Sequence, residues 1–161
     1  MKKSVKIFNI LILLAVLVCA LVSCSGGNVG KSGTATILVD SGSGEYTSYS
    51  VDLSKLEERE KGAISLLEYL SSPQNADLRY TTEAGAYGAY ITGINELNPD
   101  PLSEYIAIYT SEQSDFSVSS DGMEMPGIKY GDVELKYSGV GLSEMTIKDG
   151  TVVMLRLESF G

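Results

Sequence analysis

The chain has no histidine and no tryptophan, and only two cysteines, Cys19 and Cys24. Without histidine, the commonest general base and the commonest metal ligand are both missing. Cys19 lies inside an apolar run and Cys24 just beyond it, so a chain processed between them keeps one thiol. That excludes an intrachain disulfide and leaves the fold to rest on its own core. Basic residues are also scarce, with 12 Lys and Arg against 21 Asp and Glu and a formal charge of −9. An acid excess repels phosphates, and nucleic acid is excluded as a partner because that binding rests on lysine and arginine. A serine nucleophile served by lysine needs a Ser-x-x-Lys spacing, which does not occur. The chain is therefore not expected to be an enzyme.

What is present begins with Lys2, Lys3 and Lys6, followed by an apolar run from Ile7 to Val22 and then Ser25-Gly26-Gly27-Asn28. A basic start, an apolar middle and small residues at a cleavage point make a secretory signal, and residues 7–22 fall short of the ~20 needed to span a bilayer. Leu21-Val22-Ser23-Cys24 resembles the lipobox of bacterial lipoproteins, which implies a diacylglyceryl group on the Cys24 thiol and Cys24 as the first mature residue. Residues 1–23 are thus expected to be a lipoprotein signal peptide, and the membrane, reached through the lipid on Cys24, to be a partner. The protein is expected on the extracytoplasmic face of the cell membrane. In a two-membrane cell Ser25 directs it outward, because it is not the aspartate associated with inner-membrane retention. Residues 24–33 read as a flexible Gly/Ser tether. Gly30-Lys31-Ser32 echoes a phosphate-binding loop, but Ser25 stands where that motif needs glycine and neither a strand nor a helix flanks it.

Residues 34–161 form the expected domain; the roughly 140 residues that follow the signal can bury about 68–70% of their extended surface, enough for one core. Period-two alternation predicts strands at Thr34–Asp40, Ser48–Leu53, Tyr105–Tyr109, Val133–Tyr137 and Val153–Leu157. Ser41-Gly42-Ser43-Gly44-Glu45 is a loop of hairpin length between the first two. Ala63, Ile64, Leu66, Leu67 and Leu70 recur at helical spacing until Pro73, and so short a helix needs a sheet to pack on. Tyr87–Ile94 is strand-like with Gly88 and Gly93 inside it, which suggests a bulge. Asn98-Pro99-Asp100-Pro101 is a breaker, Asp149-Gly150 a tight turn, and residues 111–127 a polar exposed excursion with turn chemistry at Asp121-Gly122 and Pro126-Gly127.

The order of these elements resembles the transcobalamin-like C-terminal domain family. It runs through a strand hairpin, one helix near Gly62–Ser71, a strand ending Tyr90-Ile91-Thr92-Gly93-Ile94-Asn95, an aromatic strand Glu104–Thr110 and a closing Ile147-Lys148-Asp149-Gly150-Thr151-Val152-Val153. The resemblance implies a β-grasp-like α+β fold, a mixed or antiparallel sheet with one packed helix, spanning about Thr34 to Ser159. It also implies cobalamin as a conceivable ligand, although family members that carry cobalamin hold it against a larger helical domain that this chain lacks. The aromatic strand here also departs from the family pattern, with no tryptophan and Thr110-Ser111-Glu112 after Tyr109.

Three functional readings follow. Paired carboxylates can hydrolyse glycans, but Glu57-Glu58 and Glu112 with Asp115 fall in connections expected to be exposed. Acidic loops at residues 95–100 and 115–124 lack the spacing of a calcium loop, so no metal site is expected. The tyrosines remain: ten, against three phenylalanines. Tyrosine combines area with a hydroxyl and suits recognition surfaces. Tyr87, Tyr90, Tyr105 and Tyr109, with Asn95, are the candidate ligand-binding residues, and packing against the sheet is their competing role. The reading is a lipid-anchored binding module for a small molecule, a glycan or a surface protein. A corrinoid-handling lipoprotein and a cell-surface glycan hydrolase are the alternatives.

Overall fold

The computed structural model describes residues 28–119, 122, 125 and 127–160. The expected signal, lipobox and Cys24 lie outside the described residues, as do Asp121, Glu124 and Pro126. Among the described residues there are eight strands and one α-helix: β1 (Thr34–Asp40), β2 (Tyr46–Asp52), α1 (Ala63–Ser71), β3 (Tyr80–Gly85), β4 (Gly88–Ile94), β5 (Glu104–Thr110), β6 (Ile128–Tyr130), β7 (Val133–Tyr137) and β8 (Val152–Ser159). Six strands make one sheet in the order β2-β1-β8-β5-β7-β6, and β3 and β4 make a separate hairpin. The first and last strands run parallel at the centre, from Thr36 opposite Val152 to Asp40 opposite Arg156, and every other pairing is antiparallel. This is the expected α+β class, a mixed sheet with one packed helix.

Alternation decides which residues reach which core. Ala35, Ile37 and Val39 of β1, Val51 of β2 and Val153 and Leu155 of β8 face α1, whose Leu66, Leu67 and Leu70 cover them. Each fully buried leucine of that kind contributes about 1.5–3 kcal/mol. The helix starts after Gly62, at φ 51°, and stops before Pro73. Its last carbonyls are capped from outside: Asn75 Nδ2 donates to the Tyr69 carbonyl at 2.7 Å and the Leu78 amide to that of Leu70 at 3.1 Å. Gly62 is required there, since a Cβ would stand 2.6 Å from the Leu142 carbonyl oxygen and 2.8 Å from that of Met145.

The alternate residues build a second core on the other face, from Leu38, Ala107, Tyr109, Leu135, Val152 and Met154. Among the described residues no helix covers this face. Instead the sheet curls over it until its two edge strands meet through Tyr46 of β2 and Tyr130 of β6, whose rings pack edge-on at 5.3 Å. That is why β1 and the first half of β8 are buried on both sides, where simple alternation in β8 predicted one polar face.

Two expectations are corrected. Asn28–Gly33 is not all free tether: Val29 is buried and bridges Ile147 in parallel, with the Gly30 amide donating to the Ile147 carbonyl at 2.7 Å. Glu112 and Asp115 are 5% and 6% exposed rather than solvated. Glu112 Oε1 accepts from Thr151 Oγ1 at 2.7 Å while Oε2 meets Lys148 Nζ at 2.7 Å, and Asp115 Oδ2 accepts from the Thr146 amide at 2.6 Å. These contacts tie the 111–115 connection to the turn before β8. The strand expected at Tyr87–Ile94 exists as β4, but its partner β3 lies in a segment whose lack of apolar alternation hides it.

Candidate functional site

The five candidate residues fall into two groups on opposite sides of the main sheet. Tyr87 and Tyr90 belong to the β3–β4 hairpin, which packs through Ile91 and Ile94 on the helix side. Tyr87 is 77% exposed at the hairpin turn, and Tyr90 donates to Glu83 Oε2 at 2.6 Å. Asn95 follows β4 at φ 51° and is consumed by local structure: its Nδ2 donates to Tyr49 Oη at 3.0 Å and its Oδ1 accepts from the Arg79 amide at 3.2 Å. Asn95 is therefore a clasp between β2 and the ends of the hairpin. Tyr105 and Tyr109 stand on the opposite face, in and around the second core, so the two tyrosine pairs do not share a site.

Tyr105 and Tyr109 are joined there by residues that sequence reasoning did not select. The pairing of β5 with β8 sets Tyr105 opposite Glu158 and Ala107 opposite Arg156, and the short pairing of β5 with β7 sets Tyr109 opposite Tyr137. Three phenols converge on one carboxylate. Tyr109 donates to Glu158 Oε1 at 2.5 Å, Tyr105 to Oε2 at 2.9 Å, and Tyr137 also to Oε2. A phenol has one proton, so the 3.2 Å approach between the Tyr105 and Tyr137 hydroxyl oxygens carries none once both are given to Glu158. The rings of Tyr109 and Tyr137 pack at 4.3 Å, and Tyr105 stacks on Phe160 at 5.0 Å. Tyr109 is 4% exposed and seals the inner end, whereas the Glu158 side chain keeps 19% exposure toward the open end.

Charge is distributed unevenly around this cluster. Arg156 Nε lies 3.5 Å from Asp40 Oδ2 and 4.0 Å from Glu158 Oε1, without hydrogen-bond geometry to either. Asp40 is buried and its Oδ1 accepts from the Gly42 amide at 2.8 Å. Burial alone would push the Glu158 carboxyl up, but the three phenol bonds and the Arg156 guanidinium outweigh it and hold the group below its ordinary value. The phenols move the opposite way. Burial, then the bond to Glu158, pushes Tyr109 up to about 12. Tyr137 rises for the same reasons, and Tyr105 rises chiefly through its contact with Tyr137 and then through burial. At neutral pH the cluster is one carboxylate surrounded by neutral donors.

Beside it, at the end of the curled sheet, lies an open depression of about 450 Å³ lined by Ser41, Gly42, Glu104, Arg156, Glu158 and Ser159. The signal that could have found this site was present in β8. Val152 and Met154 share a face with Arg156 and Glu158, so that face could not be wholly solvent-facing. Among the described residues, no three Asp, Glu, Cys or His side chains converge as a metal cluster, and no helix is long and apolar enough to cross a membrane.

Fold and site together define an α+β domain with a curled mixed sheet and a polar, tyrosine-lined end. No protein-family model matches the chain, and no curated protein matches it. Among solved structures it is similar to a crystal structure of a protein from Ruminococcus gnavus ATCC 29149 described as a "putative metal binding protein". The TM-score is 0.51 at 15% identity, over 80% of this chain and 99% of that one. At that identity the likeness shows the fold alone.

Proposed function

We propose that the chain is a lipid-anchored extracytoplasmic binding module whose contact face is the Tyr-Glu158 end of the curled sheet. The observation that carries the binding reading is the cluster itself. Holding a partly buried carboxylate and guanidinium against an apolar core carries a desolvation cost that hydrocarbon in the same volume would not. Such an arrangement in the second core is therefore poorly explained by stability and well explained by recognition. The neighbour's description as metal binding is not carried over, because among the described residues no three Asp, Glu, Cys or His side chains gather as metal ligands. The tyrosines of the hairpin, Tyr87 and Tyr90, are secondary in this reading.

The anchoring half rests on Lys2, Lys3, Lys6, the run from Ile7 to Val22 and Leu21-Val22-Ser23-Cys24. In bacterial cells the native chain partitions into the detergent phase with a diacylglyceryl mass on Cys24. Cys24→Ala removes both the mass and the partitioning. A Cys24→Ala chain that keeps the lipid mass would end the anchoring reading. The binding half is tested by the ligand titration described next.

A further inference from the structure

The chemistry of the depression narrows the ligand class, on the reading that this end of the sheet is the contact face. A cationic ligand meets the Arg156 guanidinium in the lining, and the carboxylates around it already hold partners. Both oxygens of Glu158 accept phenols, Asp40 accepts the Gly42 amide and faces Arg156, and Glu104 Oε2 accepts the Asp100 amide at 3.1 Å. An anionic ligand meets the carboxylates of Glu104 and Glu158 in the lining, with the single guanidinium of Arg156 already facing the buried Asp40, and is repelled. A purely apolar ligand meets a lining of serine hydroxyls and charged side chains. What remains complementary is a neutral molecule rich in hydroxyls, each able to donate and accept.

The available groups match that requirement. A carboxylate has about four acceptor sites, and Glu158 uses three on phenols, two on Oε2 and one on Oε1, leaving one on Oε1. Among the described residues no hydrogen bond is made by the terminal nitrogens of Arg156, so the guanidinium fork is available. Ser41 and Ser159 are exposed on the lining, with hydroxyls that serve either way. Phe160 adjoins Ser159, stacks one face on Tyr105 and is 57% exposed, so its other face is open to a flat apolar surface such as the C–H face of a sugar ring. We infer that this depression binds a neutral saccharide, with one ring stacked on Phe160 and its hydroxyls engaged by Arg156, the serines and the free acceptor of Glu158.

The test is calorimetric titration of the full-length chain in detergent micelles with three probes: neutral pentasaccharides (cellopentaose, maltopentaose and chitopentaose), polygalacturonate as the anionic arm, and a lysine pentapeptide as the cationic arm. The expected result is a Kd of about 10 μM to 1 mM for at least one neutral pentasaccharide. Phe160→Ala and Arg156→Gln each weaken it at least tenfold, and both variants still unfold cooperatively, Phe160→Ala with only the small loss expected from its stacking on Tyr105. If only the anionic or cationic probe binds and the same two variants abolish it, the saccharide class is overturned while the contact face stands. A neutral pentasaccharide that binds with no loss in either variant overturns both, and absence of neutral binding at millimolar concentration overturns the saccharide inference.

Discussion

Replacing Tyr109 by phenylalanine should cost more stability than the same change at Tyr105, although both remove one hydroxyl from the same carboxylate. The difference follows from how the Glu158 oxygens are shared. Oε1 receives Tyr109 at 2.5 Å and has otherwise only Arg156 at 4.0 Å, whereas Oε2 receives both Tyr105 and Tyr137. A hydrogen bond to a charged group is worth about 1.5–3 kcal/mol and a bond with a remaining substitute nearer 0.5–1.5 kcal/mol. Tyr109→Phe is therefore expected to cost about 2 kcal/mol and Tyr105→Phe about 1 kcal/mol. Urea unfolding at pH 7 measures both through the midpoint at constant slope. The Glu158→Gln background supplies the control: with the charge gone, Tyr109→Phe should cost at least about 1 kcal/mol less than in the native chain, a coupling well above the usual non-additivity of distant sites. Equal costs for the two phenylalanine variants, or a coupling near zero, would refute the account of Glu158 as the organising acceptor.

The same cluster sets two pH limits. Glu158 has a folded-state value below 4.5, so its contribution is complete above that value and is lost as pH falls through the folded one; Glu158→Gln should flatten the acid limb of a stability-pH profile. Tyr109 is raised from 10.0 to about 12, so its contribution is complete below pH 10 and is lost between pH 10 and about 12, and Tyr109→Phe should remove a late step from the tyrosinate absorbance titration. Thr151→Val should cost about 1–3 kcal/mol in urea unfolding, because it leaves Glu112 Oε1 and the Lys148 amide without the buried hydroxyl that joins them; a neutral effect would show that the 111–115 connection is not held from this side. Gly62→Ala should cost at least about 2 kcal/mol, combining left-handed strain with a Cβ driven onto two backbone carbonyls, and native-like melting of that variant would contradict the close packing of α1 on the Leu142–Met145 turn.

The main sheet was legible in the sequence where one face is apolar and the other polar. That holds for β7 and for β2 within two residues at its ends; β1, β5 and β8 are legible from one apolar alternate set although their other face is also largely buried, and α1 from its stripe up to Pro73. It fails for β3, whose Tyr-Thr-Thr-Glu-Ala-Gly is largely exposed on both faces and becomes a strand only by pairing with β4. It fails also for β6, three residues long and placed by its pairing with β7. The site was half legible. Tyr105 and Tyr109 are legible as a recognition-suited pair on one strand, but their partners Glu158 and Tyr137 come from strands distant in sequence, and the mixed face of β8 marks burial without naming the pairing. Tyr87 and Tyr90 stand apart from them because the β3–β4 hairpin packs on the helix side of the main sheet, a placement that alternation within a strand does not specify. Glu112 and Asp115 looked solvated because charge is normally exposed; their burial depends on Thr151, Lys148 and Thr146, which arrive from the turn before β8.

The parallel pairing of β1 with β8 has a mechanical side. The chain enters the sheet at Thr34 and leaves it near Ser159, at opposite ends of two adjacent strands. Tension between the two ends therefore pulls these strands past one another along their length, and the hydrogen bonds from Thr36 to Asp40 are loaded together instead of being peeled one at a time. A protein tethered by its first residues and gripped near Phe160 would carry that load in shear, the direction in which a sheet yields last.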